Sequence, residues 1–402
     1  MPAAPAEVQR PLRVTIIGHT ARESGAELAL CRLLGAVDRV RLGIDVVLFE
    51  DGPLVDRLAP LADVVTVMPL ARRAAGLTRG QVHGLRSIAA APAAAALMWR
   101  LAVHLARERP DVVVTTTMKA HVIGSAAAAA VGAPLVWHVH DRIAPDYMPA
   151  PLSKLLRAAA RVFPRAVVAN SRATAATLPG VRNLVVAYPG FSTSQAIADP
   201  ASHVAPARPV VLLLGRISPT KGQLELARAM PSILARHPGS TFRIVGSPIF
   251  GGEDYAGKVQ QAVRALGVSD HVTMLEAVDD PRYELDEATV LVHASPVPEP
   301  FGQVVVEAMV RGVPVIATDA GGVPEILVDR SSRPLGWLVP PGDADALAAA
   351  VIDVLDQPAE ARRRASEAYA AAHDRFRIEL TAELVTTVWR RAGRRSRGSP
   401  RA

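Results

Sequence analysis

Two carboxylates with seven residues between them, Glu299 and Glu307, stand in the segment His293-Ala-Ser-Pro-Val-Pro-Glu-Pro-Phe-Gly-Gln-Val-Val-Val-Glu-Ala-Met309. The segment reads as a strand end, a rigid loop and a helix, with Pro298 and Pro300 stiffening the backbone on either side of Glu299. Phe301, Gly302 and Gln303 would then offer helix-start N–H groups to phosphate or sugar oxygens. Glu307 falls about one and a half turns into the helix, at roughly 3.6 residues per turn. From there its carboxylate could accept two ribose hydroxyl hydrogen bonds while Glu299 holds hydroxyls of a sugar. The plain alternative is a solvated acidic helix start. A glutamate among Val304, Val305, Val306, Ala308 and Met309 fits that poorly, because an unpaired carboxylate in so apolar a helix is costly.

The other charged candidates lie in Leu214-Gly-Arg-Ile-Ser-Pro-Thr-Lys-Gly222, where Arg216 and Lys221 leave one strand and enter a helix. Two cations beside a helix N-terminus suit a diphosphate whose charge must be held as it leaves. Lysine is scarce in the chain (119, 154, 221 and 258), so Lys221 is not part of the arginine background; a solvated turn is the competing reading. An earlier turn, Gly18 to Glu27, follows the first strand and could bring backbone to a phosphate or be purely structural. It is not a GxGxxG fingerprint, which disfavours a nicotinamide dehydrogenase.

His138 and His140 sit two apart on a strand, so they face one side and could form a metal pair. No third ligand follows at a recognisable spacing. The DxD pattern that would hold a diphosphate through a divalent cation occurs at Asp343-Ala-Asp345, opening an Ala/Leu helix, where capping explains it better. Lys119 and His121 follow another strand, and Arg142 and Asp146 follow His140; all four are acceptor-side candidates, with a salt bridge equally open for the last two.

The elements that must position these groups alternate from end to end, short β-branched runs with helical patterns, as in βαβ units with parallel sheets. Strands are predicted at 13–18, 45–49, 64–68, 111–115, 134–139, 166–169 and 183–187, then at 209–214, 241–245, 272–275, 290–293, 313–318 and 336–339. Between the two sets, residues 192–208 have no periodicity and read as a linker. The expected organisation is a disordered lead-in (1–10), an N-terminal Rossmann-like domain (11–191), the linker, a second such domain (209–377), a helix returning to the first (378–391) and a basic tail (392–402). Ligands of open parallel sheets lie outside the strand carboxyl ends, so two facing domains would share a cleft.

Half of the 402 residues are hydrophobic, enough to bury real cores, and the single cysteine, Cys31, rules out an internal disulfide framework. The N-terminus has no signal-peptide core, and the apolar runs 89–101 and 122–137 fall short of the ~20 residues of a bilayer span. A cytoplasmic location is expected. Of the charge, residues 1–200 hold 22 basic and 14 acidic side chains, and residues 201–402 hold 23 and 24. Arg72, Arg73, Arg79, Arg86, Arg100, Arg107 and Arg109 cluster around Ala- and Leu-rich helical stretches, which is compatible with peripheral contact at an anionic membrane face or with plain solvation. With 4% aromatics and no nucleic-acid module, no nucleic-acid partner is expected.

Together these motifs resemble the large family of retaining glycosyltransferases of the glycosyltransferase 4 type, which includes bacterial mannosyl- and N-acetylglucosaminyltransferases. The resemblance is carried by Glu299…Glu307 in its Glu-Pro-Phe-Gly context, by Gly215 to Gly222, and by Gly321-Gly-Val-Pro-Glu325 after the strand at 313–318; it covers nearly the whole chain. The N-terminal Gly25-Ala-Glu is looser, with Ser24-Gly25 where two glycines are common. The resemblance implies a GT-B fold, α/β with two Rossmann-like domains, the donor nucleotide held mainly by the C-terminal one and the acceptor by the N-terminal one. It implies that Arg216 and Lys221 stabilise the departing diphosphate, Glu299 positions the donor sugar, Glu307 binds ribose, Gly25 approaches the diphosphate, and His140 hydrogen-bonds the sugar or backbone near the transferred group. The activity implied is metal-independent, retaining transfer of a hexose or N-acetylhexosamine from a nucleoside-diphosphate sugar, UDP by family frequency, to an acceptor hydroxyl. That acceptor could be a sugar, a lipid-linked glycan or a small molecule, and no cofactor is required. A nucleotide-sugar epimerase, a phosphorylase, or a sugar-nucleotide binder without catalysis stays open on the same fold.

Overall fold

A computed structural model describes residues 10–70, 85–249 and 252–394. Its contacts divide the chain into two units: one takes the chain through Asn170, Thr174–Gly190 and Ile378 onward, the other Ser171–Ala173 and Phe191–Arg377.

The first unit is built on seven parallel strands, β1 (Leu12–Gly18), β2 (Leu42–Leu48), β3 (Val64–Val67), β4 (Val112–Thr115), β5 (Leu135–Val139), β6 (Ala166–Ala169) and β7 (Leu184–Val186), in the order β3-β2-β1-β4-β5-β6-β7. The central strands are buried on both faces, which is why they read as unbroken apolar runs such as Val112-Val-Val-Thr115. Helices cover both faces. On one side α3 (Leu85–Glu108), α4 (Met118–Ala130) and α5 (Ala150–Val162) share a core with Ile17, Val113, Trp137 and Val167. On the other, α1 (Gly25–Ala36) and α2 (Pro53–Leu58) share one with Ile16, Val114 and Val136, and the last helix of the chain joins them. Short α6 (Arg172–Ala176) follows β6.

The second unit has six parallel strands, β8 (Val210–Leu214), β9 (Thr241–Val245), β10 (Val272–Leu275), β11 (Val290–His293), β12 (Val315–Thr318) and β13 (Trp337–Val339), ordered β10-β9-β8-β11-β12-β13. Its helices are α7 (Gln223–Arg236), α8 (Glu253–Ala265), α9 (Arg282–Asp286), α10 (Gln303–Met309), α11 (Val323–Leu327), α12 (Ala344–Asp356) and α13 (Pro358–Arg375). In both sheets the strand order reverses beside the first strand, between β1 and β4 and between β8 and β11. A crevice opens at such a reversal, because the helices on either side cross to opposite faces.

Two boundaries differ from the sequence reading. Residues 192–208 contain two 3-10 turns, Thr193–Gln195 and Pro200–Ser202, and pack on the second unit: Ile197 N–H donates to the Val310 carbonyl (3.0 Å) and Tyr369 Oη to the Ile197 carbonyl (2.8 Å). Side-chain caps and tertiary hydrogen bonds leave no periodic trace. The final helix, α14 (Ile378–Arg394), runs past 391, and Ala392 is buried in the first unit's core with Val385 and Trp389. The lead-in before Arg10, Arg72, Arg73 and Arg79, and the tail beyond Arg394 lie outside the described residues.

Candidate functional site

In the second unit the carboxyl ends of β8 and β11 carry the expected charges. After β8 the chain turns through Gly215 (φ +149) and Gly222 (φ +81) into α7. A Cβ at Gly222 would lie 2.0 Å from the Ala294 carbonyl oxygen, so glycine there lets the Arg216–Lys221 turn rest on the loop after β11. Gln223 Nε2 donates to the Arg216 carbonyl (2.8 Å), and Ser295 Oγ lies 2.8 Å from the Thr220 carbonyl, tying the two loops together.

Lys221 Nζ consequently meets both oxygens of Glu299, at 2.8 and 2.9 Å. His293, buried at the end of β11, brings Nε2 to 3.6 Å from Glu299 Oε2. Burial pushes the Glu299 carboxyl up, but the Lys221 ammonium and His293 outweigh it and hold the group well below the usual carboxylate range. Glu299 is therefore a partly buried, ionised and compensated carboxylate. His293 is the member of this cluster that sequence reasoning left without a role; its position at the strand end leading into the Glu299 loop was the available signal.

The Glu299 loop is seated on Gly321-Gly322. Gly322 N–H donates to the Glu299 carbonyl (2.8 Å), and a Cβ at Gly321 (φ +68) would lie 2.0 Å from that oxygen. Further along the same segment, the Glu325 carboxylate accepts from the N–H groups of Arg172 (2.9 Å) and Ala173 (2.6 Å). Gly302 caps α10 with φ +109, and Gln303 and Glu307 on that helix are half-buried, as is Arg216. The Phe301 side chain is buried edge-on against Phe376, with ring centres 5.8 Å apart, so only its backbone is available to a ligand. Asp343 accepts from Ala346 N–H (2.9 Å) and caps α12. Among the described residues no cluster of three or more His, Cys, Asp or Glu could hold a metal ion.

The first unit gathers histidines at the carboxyl ends of β4 and β5. His138 and His140 have ring centres 4.3 Å apart, and both ring nitrogens of His140 are shielded from solvent without a hydrogen-bond partner. Burial pushes His140 down to about 4, with Asp141 opposing. His121 corrects an expectation: it is a core residue, stacked on Trp137 (4.5 Å) with Nδ1 2.7 Å from Thr115 Oγ1, and burial pushes it down to about 3. Its helical position, four residues after the N-cap Thr117, turns it back over β4. Lys119, half-buried in the first turn of α4, is pushed down by burial, with Glu50 opposing. Arg142 and Asp146 pair with each other at 2.7 Å. Gly25 opens α1; Glu50, at the end of β2, accepts from Thr20 Oγ1 and Ala21 N–H and ties that turn down.

Residues 196–371 match the family model described as glycosyl transferases group 1, and residues 24–195 match that of glycosyltransferase family 4. The structure superposes on Anabaena Alr3699/HepE, solved with UDP and glucose, with a TM-score of 0.77 at 26% identity over 94% of this chain and 99% of that one. The fold is GT-B. A GT-B chain of similar outline is the sucrose-phosphate synthase of Thermosynechococcus elongatus (TM-score 0.75, 20% identity, 94% of this chain and 98% of that one). Curated relatives include a GDP-mannose-dependent alpha-(1-6)-phosphatidylinositol monomannoside mannosyltransferase of Mycolicibacterium smegmatis, 33% identical over 200 residues (46% of this chain, 50% of that one). A glycogen synthase of Mycobacterium tuberculosis is 31% identical over 217 residues (52% and 48%). The chain spans about half the length of these curated relatives. In this GT-B protein both family models fall on parallel sheets whose switch points carry the candidate residues.

Proposed function

We propose that the protein is a retaining, metal-independent glycosyltransferase that moves a hexose or N-acetylhexosamine from a nucleoside-diphosphate sugar to an acceptor hydroxyl. The observation that carries this reading is the Lys221–Glu299 pair at the β8/β11 switch point, an ammonium and a carboxylate holding each other where a sugar diphosphate would lie. A donor offers each a better-suited partner: phosphate oxygens for Lys221 and Arg216, and sugar hydroxyls for Glu299. Glu307 is assigned to the ribose and the backbone of Gly215 and Phe301–Gln303 to the phosphates and sugar. The first unit is assigned the acceptor, with His140 as a neutral hydrogen-bonding group towards the sugar, because its depressed pKa keeps it uncharged near neutral pH.

In the reaction, the bond from the anomeric carbon to the diphosphate oxygen breaks as the acceptor oxygen bonds to that carbon on the same face. The acceptor proton passes to the leaving diphosphate, whose growing charge Arg216 and Lys221 hold. No carboxylate acts as a covalent nucleophile. UDP as the nucleotide is supported by the UDP complexes of Alr3699/HepE, while the mannosyltransferase relative is named for GDP-mannose.

A donor screen by mass spectrometry, reading free UDP or GDP with each sugar nucleotide and a panel of acceptors, tests the proposal. One donor should give glycosylated product with its anomeric configuration retained. Inverted product, epimerised donor without transfer, or sugar phosphate release would each overturn it.

A further inference from the structure

We propose that the outward face of α3, α4 and α5 in the first unit docks on an anionic lipid surface. These three helices bury their inner sides in one core cluster and so form one layer over the sheet. Their outer sides leave large apolar groups in solvent: Trp99 on α3 (70% exposed), Val122 on α4 (52%), and Leu155 and Val162 on α5 (64% and 76%). Isolated exposed apolar residues are ordinary, but those on α5 form a pattern. Pro151, Lys154, Leu155, Ala158, Arg161 and Val162 are all exposed and recur at helical spacing, opposite the buried Ser153, Leu156 and Ala160. The helix thus has a second apolar stripe, flanked by cations, that no element among the described residues covers.

Charge identifies the occupant. Among the described side chains of α3, α4 and α5, the cations Arg100, Arg107, Lys154 and Arg161 are exposed, and the one acidic residue, Glu108, has its carboxylate taken by Arg13 (3.0 Å). The helices on the opposite side, α1, α2 and α14, carry five basic and four acidic. Apolar side chains rimmed by Lys and Arg, with a tryptophan among them, match a bilayer interface, where the apolar groups enter the headgroup boundary and the cations meet anionic lipid. A second copy of the chain would set the same cations against one another.

Trp99 supplies the readout, because Trp137, Trp337 and Trp389 are buried. With vesicles of phosphatidylcholine and phosphatidylglycerol, the expected result is co-sedimentation with a blue-shifted Trp99 emission, weakened by added salt. Vesicles of phosphatidylcholine alone should bind far less. R100Q/K154Q should bind roughly thirtyfold more weakly, at about 1 kcal/mol per cation, and L155S/V162S should lose the blue shift, both with the wild-type thermal midpoint. No binding to anionic vesicles, or binding indifferent to both variants, overturns the proposal. So does a soluble dimer that L155S/V162S dissociates, which would make the face an interface between copies. The assay reads no turnover, so its outcome is separate from that of the catalytic reading.

Discussion

The strand carboxyl ends of the two sheets handle buried polarity in opposite ways. In the second unit Lys221, Glu299 and His293 compensate one another, so the charge is kept and its partner can be exchanged. In the first, His138 and His140 are held without charge, and His140 has no partner for either ring nitrogen. A compensated pair is vulnerable to losing one member; a neutral buried histidine is vulnerable to gaining a proton. The contrast fits a division of labour between a unit that grips a dianion and one that presents uncharged hydrogen-bonding groups.

The largest effect should come from Lys221→Ala. It strands a largely buried carboxylate, which costs about 3 kcal/mol, and on the proposed mechanism it removes a cation aimed at the leaving group, worth about 10²–10³ in turnover. Urea unfolding and donor turnover read the two separately. Adding Glu299→Gln should return most of the stability and none of the turnover; a Lys221→Ala enzyme with near wild-type turnover would falsify the assignment.

Next is Gly321→Ala. Its Cβ has neither a relaxed φ nor room against the Glu299 backbone, so about 3 kcal/mol of stability should go. If turnover also falls, the loop seat matters to the site; unchanged thermal stability would show that the contact is looser than described.

A smaller effect tests the first unit. His140 titrates at about 4 folded and at about 6.5 unfolded. The unfolded state therefore binds more protons between those values: stability is full above about pH 6.5, falls as pH drops toward 4, and levels off below. His140→Gln should remove on the order of 3 kcal/mol of that pH-dependent change. An identical pH dependence of the thermal midpoint in both proteins would show that His140 already reaches solvent or a partner. The smallest expected change is Asp343→Ala, at about 1 kcal/mol for the lost cap, with turnover unaffected; a loss of turnover would give Asp343 a part in the chemistry.

Every strand of both sheets was legible within three residues at each end: the central ones because a parallel strand buried on both faces needs an apolar run and a breaker, both local, and the half-exposed edge strands β3, β7 and β10 because they too are short β-branched runs. Lys221 and Glu299 stood out in the sequence one by one, but not as partners, since 78 residues separate them and spacing carries no information on tertiary approach. His293 went unassigned for the same reason. His121 was misjudged because a helix start after a strand can send a side chain outward or back over the sheet, and only the packing against Trp137 decides. Residues 192–208 looked like a tether because hydrogen bonds such as that from Tyr369 arrive from a helix far along the chain.

The closing helix α14 also bears on how the protein is made. Ile378, Ala382, Val385, Val388, Trp389 and Ala392 complete a core whose other members lie between Val14 and Ala187, so the first unit cannot shut until this helix has left the ribosome. The second unit, drawn almost entirely from Phe191–Arg377, is under no such delay. During synthesis the unit begun first would be the later to finish, with part of its apolar core uncovered until α14 arrives.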